Sequence, residues 1–146
     1  MFEHIRRLSF VALAVLAQGA FCVSSYGGNA VVKWDSLKKL DDLAEKCEAL
    51  CDQKNVPELR KIAPAVKAAA TVVAKDAIPA NAKQPAEVKI LQGDLKSLTD
   101  SITNPATQSG EELTAILAGV HPIVEKLMES SGMPHVHEGE GKEATP

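Results

Sequence analysis

Rings are scarce in this chain. Aromatic residues make up 3% of it, and Phe2, Phe10, Phe21 and Tyr26 all fall in the first thirty positions, which leaves Trp34 alone beyond them. Sites that stack sugars or bases need more rings than this. Positive charge is not in excess either: 16 Lys plus Arg against 19 Asp plus Glu give a formal net charge of −3. Without a basic field to release counterions from a phosphate backbone, nucleic acid is excluded as a partner. Alternating β-branched runs and internal repeats are also missing, which sets aside sheets and solenoids.

Catalytic signatures are equally thin. The chain holds no H-E-x-x-H, G-x-S-x-G or phosphate-binding loop. Neither Cys47 nor Cys51 belongs to a C-x-x-C-H haem attachment, Met128 and Met133 come too late to pair with a histidine around a bundle haem, and the Glu-x-x-His pairs of di-iron bundles do not occur. The chain is therefore expected not to be an enzyme and to carry no resident organic cofactor.

What is present begins with a targeting pattern. Arg6 and Arg7 precede an apolar run from Phe10 to Ala17, and small residues including Gly19, Ala20, Ser24 and Gly28 follow. That order is a secretory signal peptide, assigned to residues 1–28 with cleavage between 19 and 30. Even carried on to Val23 across Gln18, the run falls short of the roughly 20 residues that span a bilayer. Cys22 follows Phe21 where a lipid-acceptor pattern wants Gly or Ala, which argues against acylation. The expected location is periplasmic or extracellular, with membrane contact only through the signal segment.

The whole chain is 45% hydrophobic and 24% charged, an ordinary globular balance. Four stretches place apolar residues alternately three and four apart, the spacing of one helix face. The seams are Leu37, Leu40, Ala44, Cys47, Cys51; Leu59, Ile62, Val66, Ala69, Val73; Val88, Leu91, Leu95, Leu98, Ile102; and Leu113, Leu117, Val120, Val124, Leu127 flanked by Ile116 and Ile123. Starts and stops agree with them. Asn55 with Glu58, Pro85, and Ser109 with Glu112 open the second, third and fourth helices, while Asp52–Asn55, Pro79, Asn104–Pro105 and Gly132 end them in order. Short connections force neighbours antiparallel, so residues 31–132 are expected to form an all-α, up-down-up-down four-helix bundle.

Pro64, Gly93 and Pro122 fall inside these helices. Each occupies the outermost heptad position, where a break curves a helix without emptying the core. From Met133 the chain has almost nothing to bury, and residues 133–146 are expected to be a disordered tail.

Few residues could hold a metal. Cys47 and Cys51 lie one turn apart on the seam, and in an intact helix their Cβ atoms are too far apart for a disulfide. This C-x-x-x-C pair on a bundle interior resembles the copper-storage four-helix proteins, and that likeness, which covers two residues, implies Cu(I) held by thiolate; zinc is the other soft-ligand candidate. His135 and His137 make a His-x-His beside Glu138 and Glu140 that would bind Zn, Ni or Cu weakly. His121, on the border of the fourth seam, is the only histidine placed to complete a site with the cysteines. Two functions are left open: a small exported binding or interaction protein for an unidentified protein or small ligand, a homodimer among the possibilities, or a copper- or zinc-handling bundle.

Overall fold

The computed structural model describes residues 31–134. The signal assignment, Cys22, His135 and His137 lie outside the described residues. Within them the chain is helical and contains no strand: α1 (Asp35–Asp52), α2 (Val56–Lys75), α3 (Pro85–Asp100), α4 (Gly110–Ala118) and α5 (Val120–Ser131). The last two are the expected fourth helix, interrupted at Gly119.

Local chemistry accounts for most of these limits. Asn55 Oδ1 accepts from the Glu58 backbone N–H at 3.3 Å and Ser109 Oγ from that of Glu112 at 3.1 Å, so both N-caps act as their sequences require. α1 closes on a Schellman turn, with Asn55 N–H reaching back to Leu50 O and Lys54, rather than a glycine, in the left-handed region at φ 54°. α5 closes the same way through Met133 N–H to Met128 O, here with Gly132 at φ 85°. A side chain at Gly132 would also press on Lys83, from the α2–α3 connection. That connection caps α5 as well: the Gln84 N–H donates to Ser130 O at 2.8 Å. α2 and α3 stop several residues before the prolines expected to end them, and Ile102 is buried from the connection after α3 rather than from the helix itself.

The interruption at Gly119 follows from Pro122. Proline has no N–H for the Ala118 carbonyl, and its ring crowds that carbonyl. With Gly119 inside the affected turn the helix tightens there, the Gly119 N–H bonding to both Ala115 and Ile116 carbonyls. The missing side chain lets the turn sit against Leu98 of α3, since a Cβ at Gly119 would lie 3.1 Å from Leu98 Cδ2. Pro64 does not divide α2, where the preceding turn holds Arg60, Lys61, Ile62 and Ala63 and no glycine. Pro64, Gly93 and Pro122 are all exposed, as their outer placement requires.

Cross-helix hydrogen bonds show the direction of each neighbour. Trp34, just before α1, donates its indole N–H to Asp76, just past α2. Lys67 in α2 donates to Ile102 O beyond the end of α3, and Ser130 near the end of α5 donates to Glu87 at the start of α3. The Cys51 thiol near the end of α1 faces Thr114 O in the first turns of α4 at 3.7 Å. Each helix therefore runs against the next, and α4 and α5 return beside α1. The core between them includes Leu37, Leu59, Leu95, Leu117 and Leu127, all fully buried, with Met133 packed against it from the residues expected to begin the tail.

Candidate metal centre

α1 carries a second stripe beside its apolar seam. Asp41, Glu45 and Glu48 are spaced by four and three, which puts their side chains along one side of the helix. α5 resumes at Val120, so His121 stands in its first turn, opposite that stripe. One ligand atom each from Asp41, Glu45 and His121 come within 4.8 Å of one another. Asp41 is 2% exposed and His121 5%, while Glu45 is half-buried.

The surroundings of this group are ionic. Glu48 Oε2 lies 2.7 Å from His121 Nδ1, a carboxylate–imidazole contact that orients the ring. Lys38 Nζ reaches Asp41 Oδ2 at 3.3 Å and Asp42 Oδ1 at 2.9 Å from the solvent side. The hydrogen bond to Asp42 is the main cause that raises the Lys38 pKa above its ordinary value; partial desolvation opposes it and Asp41 adds to it. The Lys38 and Asp42 pair is otherwise the exposed ion pair expected of a solvated helix face.

The cysteines stand apart from this group. Both are free thiols, Cys47 buried and Cys51 half-buried. Burial, with a smaller push from Cys51, raises the Cys47 thiol to about 11, and burial also raises that of Cys51. Desolvation favours the protonated form of both thiols, so a soft metal bound there would have to displace those protons. Among the described residues, neither cysteine belongs to a group of three metal-type donors. His121, the histidine expected to complete a cysteine site, faces the carboxylates of α1 instead.

Asp41, Glu45 and Glu48 were not singled out by sequence reasoning, because three carboxylates among the many charges of α1 look like an exposed face. The signal was nevertheless present: a carboxylate stripe beside one seam and a histidine bordering the other, on helices that the short connections make antiparallel neighbours.

Chemically, the group offers two carboxylates and one imidazole. Three protein donors of this kind suit a divalent ion and leave further coordination positions open to water or a ligand. No helix among the described residues is long and apolar enough to cross a membrane. No protein-family model, no curated protein and no solved structure matches this chain.

Proposed function

We propose that the chain is a small exported binding protein of the cell envelope, an up-down-up-down four-helix bundle that holds its ligand on the α1–α5 seam and performs no covalent chemistry. The observation that carries this reading is the meeting of buried Asp41 and buried His121 across that seam, with Glu45 beside them. Burying such groups costs folding free energy unless a partner offsets it. Of the other buried polar side chains, Gln92 donates to Val73 O, Thr99 to Leu95 O, Gln108 to Ser101 O and Ser131 to Met128 O, while Ser130 donates to the Glu87 carboxylate. The α1–α5 group collects ligand-type donors instead.

Export rests on the charged, apolar, small-residue order of the first 28 positions. Among metal-handling routes, the N/O group has more support than the thiol pair, whose sulfurs belong to no set of three donors among the described residues. Intact mass of the protein recovered from the envelope, native and denatured, tests the reading. The expected result is a chain that has lost everything through at least Gly19 and a native mass exceeding the denatured one by a bound species. A chain still beginning at Met1, or identical native and denatured masses, would overturn it.

A further inference from the structure

We infer that Asp41, Glu45 and His121 bind a divalent first-row transition ion, with Glu48 as the residue that positions His121. The inference deepens the binding-protein reading above and rests on it.

The first argument is the donor set. An imidazole together with carboxylates suits borderline ions such as Zn2+ and Co2+, whereas Cu(I) wants sulfur and Ca2+ wants six or more oxygens. The three donors come from two helices, with Asp41 and Glu45 one turn apart on α1 and His121 facing them from α5. Packing of these helices therefore sets their separation before any ion arrives, which is the preorganisation a tight site needs.

The second argument is the role of Glu48. Metal-ligating histidines characteristically donate their other ring N–H to a carboxylate, which fixes the tautomer and makes the ligating nitrogen more basic. Glu48 Oε2 at 2.7 Å from His121 Nδ1 is this arrangement. A buried ring N–H needs an acceptor in any case, and Glu48 supplies one that also fixes the orientation of the ring.

The third is the position of Lys38. Its ammonium sits 3.3 Å from Asp41 Oδ2, with the lysine side chain 56% exposed and able to swing away. Two carboxylates drawn together repel each other, and Lys38 offsets part of that repulsion while no other cation is bound. A divalent ion would take over this role, with Lys38 left to pair with Asp42. Lys38 should accordingly weaken metal binding by its charge.

The test measures Zn2+ affinity of the exported full chain by competition with a chromophoric chelator, in a background carrying His135→Ala and His137→Ala so that the tail supplies no imidazole. Asp41→Asn and His121→Gln should each weaken binding at least tenfold, and Glu48→Gln by about tenfold, the lower end of what loss of an orienting partner costs. Replacing Cys47 and Cys51 together by serine should change it less than twofold. Lys38→Ala should tighten it severalfold, with the melting curve unchanged. Co2+ in place of Zn2+ should give visible d–d bands and no near-ultraviolet thiolate charge-transfer band.

Unchanged affinity in both Asp41→Asn and His121→Gln overturns the site. If either variant does not fold by circular dichroism, Lys38→Ala decides, and an affinity equal to the parent's counts against the inference. A thiolate band with loss of binding in Cys47→Ser overturns the site but leaves a binding protein. Absence of Zn2+ binding overturns it too, and the envelope mass then separates the two: an excess from a non-metal ligand keeps the broader reading, and no excess removes both.

Discussion

Asp76 and Asp41 are both aspartates drawn into the protein beside helices, and the fold surrounds them in opposite ways. Asp76 closes α2 and is met by donors: its carboxylate accepts from the Trp34 indole N–H and the Ser36 hydroxyl. Its backbone carbonyl shares the Gln92 amide with Val73. These bonds satisfy the end of one helix and pin the start of another. Asp41 is more deeply buried; it accepts from Lys38 Nζ at 3.3 Å, and its neighbours include a second carboxylate, Glu45, and the imidazole of His121. A carboxylate among donors lowers the energy of the folded chain, and a second carboxylate beside it offsets part of that gain. The contrast sets a carboxylate that serves folding beside one assigned to the proposed metal site.

The largest effect that could break this contrast lies at the pinned end. Trp34 is buried and its indole has Asp76 as partner, so Trp34→Ala should cost roughly 3–5 kcal/mol in urea unfolding followed by circular dichroism. A cost below about 1 kcal/mol would mean that the segment before α1 is not holding the bundle. Asp76→Ala comes next, at roughly 1–3 kcal/mol, because it leaves the indole N–H and the Ser36 hydroxyl without their acceptor. If Asp76→Ala proved silent in the same experiment, donors around a carboxylate would be no guide to its role here.

The pinned end was only partly visible in the sequence, and the site hardly at all. Helical seams were plain because apolar residues three and four apart leave no other period. In α2 Leu59, Val66 and Val73 are buried as the seam requires, but at its other two positions Ala63 and Ala70 are buried in place of Ile62 and Ala69, which are half-buried beside them, since alanines stand on both sides of the stripe. The capping residues announced themselves by type and spacing. The break at Gly119 was hidden, because Pro122 alone predicts curvature and only the glycine three residues before it turns a bend into an interruption. Asp76 follows Lys75 at the end of a helix and carries no sign of Trp34 or Gln92, residues remote in sequence. Asp41 sits in a pair with Asp42, and nothing local says that one is buried and the other exposed. Which of two adjacent aspartates faces α5 is decided by how α1 is rotated against its neighbours, a property of the packed bundle.

Metal addition sharpens the contrast further. An ion that binds only the folded chain stabilises it by mass action, by about 1.4 kcal/mol at ten times its Kd. Thermal melts of the protein carrying His135→Ala and His137→Ala should rise accordingly with Zn2+, and those of the same protein with Asp41→Asn should not. Asp76→Ala, although less stable at the outset, should respond to Zn2+ as the parent does. An equal rise in the Asp41→Asn protein would place the ion elsewhere.

The smallest effect is also the sharpest test, because it concerns the sign of a carboxylate's contribution. In the presence of a chelator, Asp41→Asn keeps the shape of the side chain and removes its charge. Against the change stands the ion pair with Lys38, whose ammonium comes from the exposed side and is screened by water, so its contribution is small. In its favour stand relief of repulsion from Glu45 and the lower cost of burying a neutral amide. The two sides nearly cancel, and the expected result is an unfolding free energy equal to the parent's or higher by less than about 1 kcal/mol. Any gain should shrink with added salt to the extent that repulsion from half-exposed Glu45 is its source. The same substitution at Asp76 should lose stability, since an amide oxygen accepts more weakly than a carboxylate from the indole and hydroxyl donors. Urea unfolding of both asparagine variants, with chelator and at two salt concentrations, makes the measurement. Equal losses would show that Asp41 holds the fold together as Asp76 does, and the distinction between a folding carboxylate and a binding one would not apply to this protein.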